Sequence, residues 1–143
     1  MFTPLLALLL LNNFSSKSTM DTTKKEVIFQ IDFQDFFHND TVTLRINDCL
    51  VFKDHQLTSE ISTGLTDARV KGYLDDEMQI SIFFSSESHL CMYSKDKISI
   101  SIVLNHYIKK YVVDLSKGRY IGFSKKDKNE LSFSQSQKPF IYD

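Results

Sequence analysis

The sequence predicts an all-β fold: a single antiparallel β-sandwich, or a flattened barrel, of about eight to nine strands that follows an N-terminal leader. Three observations predict it. Apolar and polar residues alternate with period two in short runs that recur about every ten residues. Turn-forming residues separate these runs, and no stretch shows convincing helical periodicity. The hydrophobic fraction of 42% is ample for one buried core in a chain of 143 residues.

The alternating runs are taken in chain order. The first is EVIFQIDF, in which Val27, Phe29, Ile31 and Phe33 share one face. The runs TVTLRI, CLVF, DARVKGYL, EMQISIFF, KISISIVL, IKKYVVDL, RYIGFS and ELSFSQS follow. Strands of this kind bury one face and leave the other to solvent, which is typical of antiparallel sheets.

The clearest hairpin is TVTLRINDCLVF, Thr41 to Phe52. Asn47 and Asp48 both tolerate positive φ, which a two-residue type I′ turn requires. Such a turn would place Ile46 opposite Cys49 and Leu44 opposite Val51. We therefore predict that these four side chains lie on one face and are buried together.

The run KISISIVL, Lys97 to Leu104, has the composition of an aggregation-prone segment. It contains β-branched residues, no proline and no charge between Ile98 and Leu104. A stable fold should bury such a run as a central strand that is paired on both sides. Its core-facing residues would be Ile98, Ile100, Ile102 and Leu104.

Residues 1–19 are a predicted signal or leader segment, and residues 26–143 form the predicted sandwich domain. The apolar run from Pro4 to Leu11 has the length of a signal-peptide core and is too short to span a bilayer. This pattern predicts a secreted, periplasmic or cell-envelope protein with no transmembrane segment. No Lys or Arg precedes the run, which leaves an alternative: translation from Met20 would give a cytoplasmic protein.

The charges are unevenly distributed along the chain. Residues 1–93 carry 7 basic and 13 acidic side chains, whereas residues 94–143 carry 10 basic and 5 acidic side chains. We expect an interleaved β fold to mix the two sets. Net charge is −1 and there are only three Arg residues, so the sequence disfavours a nucleic-acid partner.

Cys49 and Cys91 allow one disulfide or two free thiols, and their spacing matches no zinc or redox motif. The sequence favours two small buried thiols, because free Cys is among the most buried residue types.

The sequence contains no G-x-S-x-G element and no glycine-rich phosphate loop, so it predicts a protein that is not an enzyme. Four scattered histidines leave a hydrolase with a dispersed site as an alternative. The only cofactor that the sequence suggests is calcium. Asp32, Asp35 and Asp40 are its candidate ligands, because carboxylates near a strand end can supply the oxygen atoms that Ca²⁺ prefers. The competing interpretation is a solvated loop whose side chains bond their own backbone.

Candidate ligand-binding residues come from the stretch Lys53 to Val70, which shows no clear strand pattern, and from the strand after it. They are Thr58, Ser59, Thr63 and Tyr73. The leading hypothesis is a non-catalytic secreted or cell-envelope binding module for a protein or glycan partner. The alternatives are a small cytosolic interaction or inhibitor protein of the immunity type, translated from Met20, and the dispersed-site hydrolase.

Overall fold

A computed structural model describes residues 26–76, 78–94 and 96–142 and shows an all-β sandwich of two sheets. Its ten strands are β1 Val27–Phe33, β2 Asp40–Ile46, β3 Cys49–Leu57, β4 Arg69–Asp76, β5 Gln79–Phe84, β6 Glu87–Met92, β7 Lys97–Leu104, β8 Tyr107–Asp114, β9 Tyr120–Lys126 and β10 Glu130–Ser136. The six-stranded sheet has the order β10-β9-β1-β4-β5-β6, and the four-stranded sheet has the order β3-β2-β7-β8. The predicted sandwich is confirmed. The predicted leader, residues 1–19, lies outside the described residues.

Two features of the sheets differ from the prediction. The additional strand is β6, which the pattern did not reveal because Cys91 faces the core while Leu90 and Met92 are exposed. β1 also pairs with β9 in parallel, with Ile31 opposite Ile121, whereas the other pairings are antiparallel. A purely antiparallel sandwich is therefore wrong at this one pairing.

The β2–β3 hairpin has the predicted turn, since φ is 49° at Asn47 and 62° at Asp48. Ile46 lies opposite Cys49 as predicted. A register irregularity then places Leu44 opposite Phe52, so the predicted pairing of Leu44 with Val51 is wrong. The burial prediction is confirmed for Leu44, Ile46 and Val51, whereas Cys49 is half-buried.

The core lies between the sheets, and β7 is central to it. β7 pairs with both β2 and β8, and its residues Ile98, Ile100, Ile102 and Leu104 are buried, as predicted. Aromatic rings fill the space toward the six-stranded sheet, where Phe33 stacks on Phe123 with ring centroids 5.7 Å apart.

The two sheets are joined differently along their two sides. On one side a disulfide links Cys49 of β3 to Cys91 of β6, with Cα atoms 5.9 Å apart, so the interpretation of two free thiols is wrong. On the other side Tyr111 of β8 stacks on Phe133 of β10, with centroids 5.7 Å apart. We call these the β3/β6 side and the β8/β10 side.

Candidate partner-binding edge

Asp32, a predicted calcium ligand, is buried in an ion pair with Arg69. Its Oδ1 accepts a hydrogen bond from Arg69 Nε at 2.7 Å, and its Oδ2 accepts one from the Tyr142 hydroxyl at 3.0 Å. Gln34 Nε2 donates to the same hydroxyl at 2.8 Å. Burial raises the pKa of Tyr142 to about 12, so the hydroxyl keeps its proton and remains a donor to the carboxylate. This cluster fastens the C-terminal segment to β1.

Asp40, the second predicted calcium ligand, is the centre of a separate polar cluster. Its Oδ1 accepts hydrogen bonds from Lys125 Nζ and Asn105 Nδ2, both at 2.7 Å, and its Oδ2 accepts one from the His38 N–H at 2.8 Å. Burial acts to raise the pKa of Asp40, but the hydrogen bonds from Lys125, Asn105 and His38 outweigh it and lower the pKa. Asp40 therefore stays ionised and joins the β1–β2 loop, the β7–β8 turn and β9.

Asp35, the third candidate, is exposed, and its carboxylate lies against Gly64. Asp32 and Asp40 are paired with different cations, so the structure does not bring the three carboxylates together as one oxygen-ligand set. Within the described ranges no group of three or more His, Cys, Asp or Glu residues could hold a metal ion. The calcium site stays a prediction.

The hydroxyl groups of the predicted binding loop bond backbone groups nearby. β3 extends to Leu57, so the irregular stretch is shorter than the sequence suggests. Each candidate hydroxyl accepts a hydrogen bond from a backbone N–H: Thr58 from Asn39 at 2.9 Å, Ser59 from Phe37 at 3.0 Å and Thr63 from Leu65 at 3.3 Å. These contacts give the three side chains a role in holding the loop.

Tyr73 lies apart from that loop, on the outer face of the six-stranded sheet. Its ring packs edge-to-face against Phe83 of β5, with centroids 5.3 Å apart and an interplanar angle of 87°. Leu90 of β6 projects from the same face and is 54% exposed. Tyr73 therefore belongs to a small aromatic and apolar patch, which the sequence did not reveal because it spans three strands.

The strongest candidate for binding is β8, an edge strand of the four-stranded sheet. Residues of an edge strand alternately direct their backbone groups toward the neighbouring strand and away from it. The turn before β8 has two residues, both with positive φ, which makes Leu104 and Tyr107 a hydrogen-bonded pair. At the far end of β8, the Leu115 N–H donates to the Asp96 carbonyl at 2.7 Å.

The Leu104–Tyr107 pair and the Leu115–Asp96 hydrogen bond show which backbone groups of β8 are directed outward. Odd-numbered residues from 107 to 115 direct their N–H groups toward β7. Ile108, Lys110 and Val112 therefore direct their N–H and C=O groups away from the sheet. We call these groups the β8 edge. The edge ends at Asp114, because its carbonyl accepts a hydrogen bond from Gln135 Nε2 at 2.7 Å.

Apolar side chains flank the β8 edge on both faces of its sheet. On the outer face Ile108 and Val112 are 64% and 76% exposed. On the inner face Tyr107 is exposed, and Phe133 of β10 lies nearby with its ring partly open to solvent. A strand added beside β8 would cover apolar surface on both of its own faces.

The other three edge strands are less suitable for an added strand. β3 contains two register irregularities and a positive φ of 50° at Asp54, which twist an edge away from a partner. β6 is covered by β3 where Cys91 forms the disulfide. β10 places Ser132, Ser134 and Ser136 on its outer face, which offers little apolar area. By contrast, β8 pairs with β7 in continuous register over all eight residues.

The charged halves of the chain occupy different sides of the sandwich. β7, β8, β9 and β10 all come from residues 96–142, which carry nine basic and four acidic side chains. The Tyr111–Phe133 contact brings these strands to the β8/β10 side. The described part of residues 26–94 carries four basic and eleven acidic side chains and supplies the β3/β6 side. The expectation that the charges mix holds only where the two halves meet, in the Lys125–Asp40 and Arg119–Glu26 pairs, and the β8 edge lies on the basic side.

None of the helices within the described ranges is long and apolar enough to cross a membrane. Comparison of the chain with protein-family models, with curated proteins and with solved structures gave no match.

Proposed function

We propose that this protein is a non-catalytic, exported β-sandwich that binds a partner protein by accepting a strand at the β8 edge. One observation carries the proposal. β8 is a regular edge strand that combines outward-directed backbone groups with exposed apolar side chains on both faces. In strand addition the main-chain hydrogen bonds supply affinity, and the alternating side chains supply specificity.

Within the described residues, β8 has few of the features that usually protect an edge strand from unwanted pairing. Natural proteins shorten, bulge, cover or charge their edge strands to avoid unwanted pairing. β8 has eight residues in continuous register, and its protection consists of Lys109 and Lys110. Charge alone selects against some partners and admits others, which is the property expected of a specific binding edge.

The disulfide supports the export part of the proposal. Disulfides persist in secreted, periplasmic and cell-surface proteins and are rare in the reducing cytosol. The bond between Cys49 and Cys91 joins the two sheets, so the oxidised cysteine pair is part of the folded structure. This favours the leader interpretation over translation from Met20. Mass spectrometry of the N-terminus in fractionated cells tests it: a cytosolic chain that begins at Met20 would contradict export.

The β8 edge can be tested by a pull-down with the mature, oxidised protein. In the variant Val112→Pro, proline removes an N–H that is directed away from β7, so the ladder with β7 stays intact. We expect wild-type protein to retain one stoichiometric partner from envelope extracts and Val112→Pro to lose it. The two proteins should unfold at the same urea concentration. Equal retention by the two proteins would contradict binding at the β8 edge.

A glycan partner is the second candidate, and the patch around Tyr73 favours it. Aromatic rings on a sheet surface can pack against sugars, and Tyr73 and Phe83 lie together on an outer face. Electrophoresis through gels that contain polysaccharide tests this candidate. Retardation that is lost in Tyr73→Ala and kept in Val112→Pro would favour a glycan over the β8 edge.

A further inference from the structure

We infer that the β8 edge takes an extended acidic segment of a different protein, with an apolar–acidic–apolar pattern on alternate residues, rather than a second copy of this chain. The inference rests on the proposed function and specifies the partner. It follows from the side chains that accompany the outward-directed backbone groups and from the charge of the β8/β10 side.

The side-chain order along the outer face of β8 defines the pattern. Ile108, Lys110 and Val112 project to this face, opposite Val103, Ser101 and Ser99 of β7. Side chains that are directly opposite each other on paired strands are in contact, and opposite charges attract there. A strand beside β8 would therefore place an apolar residue against Ile108, a carboxylate against Lys110 and an apolar residue against Val112.

The groove beside Lys110 shows which charge an added strand would meet. Arg45 and Lys110 line the same shallow groove, of about 490 Å³, on the outer face of the sheet. Val112 and Ile108 form its apolar part. Arg45 lies on β2, two strands from β8, and Asp48 lines the groove beside it, so Lys110 is the cation that a strand added beside β8 would meet on this face.

A second copy fits the same edge less well than an acidic segment does. Two β8 edges that overlap fully in a symmetric antiparallel pair would place Lys110 opposite Lys110, and like charges directly opposite each other are destabilising. A shift that centres the pair on Val112 would require Asp114, whose carbonyl already bonds Gln135. A shift that centres it on Ile108 would pair Lys110 with His106, which lies in the turn at a φ of 76°. Shifts that centre it on Lys109 or Tyr111 avoid the like-charge contact, but they place an apolar residue, Ile108 or Val112, and no carboxylate opposite Lys110.

The charge of the whole side acts in the same direction. Strands from the basic part of the chain, residues 96–142, form the β8/β10 side, so this side attracts acidic segments and repels the same side of a second copy.

A selection experiment with random peptides displayed on phage tests the inference. The mature wild-type protein and the variant Lys110→Glu are used as parallel targets. Wild-type protein should enrich peptides in which Asp or Glu is flanked by apolar residues two positions away on each side. Lys110→Glu should enrich Lys or Arg at the same place. Each peptide should bind its own target about tenfold more tightly than the other target, since the pair changes from opposite to like charge.

The variant Val112→Pro separates the inference from the proposed function. If selected peptides lose binding to Val112→Pro but show no charge preference at Lys110, the inference is wrong while strand addition at β8 stands. If their binding is unchanged in both variants, strand addition at β8 fails as well. Sedimentation provides the last outcome: a wild-type dimer that becomes monomeric in the variant Val112→Pro would overturn the preference for a different protein.

Discussion

Removing the Cys49–Cys91 disulfide should destabilise the sandwich by an amount that its position in the chain determines. The bond joins residues 42 positions apart and connects the edge strands of the two sheets. Cross-linking a loop of this length removes about 13 cal/mol/K of entropy from the unfolded chain, which corresponds to about 4 kcal/mol at 25 °C. That is a large part of the stability of a typical domain, about 5–15 kcal/mol.

Urea unfolding of oxidised protein, of reduced protein and of the double variant Cys49→Ala/Cys91→Ala measures this loss. The reduced protein and the double variant should both be less stable than the oxidised protein by about 4 kcal/mol. The double variant is also the control, because reductant should leave it unchanged. An equal midpoint for oxidised and reduced wild-type protein would refute the reasoning, and with it the support that the disulfide gives to export.

Three further changes test the core and one polar cluster. Leu44→Ala should lower the free energy of unfolding by about 2–5 kcal/mol, and a loss below about 0.5 kcal/mol in urea would contradict its burial. Ile100→Lys should prevent folding because it buries an unpaired charge, whereas Ser101→Lys should yield soluble protein in the same expression trial. The pKa of Asp40 is lowered in the fold, so its contribution to stability is present above its ordinary pKa of 3.8 and is lost as the pH falls through the lowered value. The stability difference between wild type and Asp40→Asn should therefore shrink in acid, and a difference independent of pH would contradict the Lys125 pairing.

Local patterns were sufficient to predict most of the fold. The turn at Asn47 and Asp48 follows from residue types that tolerate positive φ, and the burial of β7 follows from alternating apolar residues. The irregularity that shifts Leu44 from Val51 to Phe52 was not predictable, because both partners are apolar and either register satisfies the pattern. The parallel pairing of β1 with β9 was not predictable either, since it joins strands that are distant in sequence.

The candidate site depends on strand order, which periodicity does not encode. IKKYVVDL reads as a strand in the sequence, but only the sheet topology shows that it is an edge. The unequal charge of the two chain halves was visible in the sequence. Its meaning required the finding that β7, β8, β9 and β10 lie together on one side of the sandwich. Asp32 and Asp40 were prominent in the sequence as candidate calcium ligands. In the structure each is the buried partner of a cation that is distant along the chain.

Hydrogen exchange of the β8 amides in the free, oxidised protein tests the open edge most directly. The amides of Lys109, Tyr111 and Val113 should exchange slowly, because they bond β7, and those of Ile108, Lys110 and Val112 should exchange rapidly. Slow exchange at all six positions in a monomer would show that the β8 edge is already paired and would contradict the account. Alternating protection along β8 is the result that we expect.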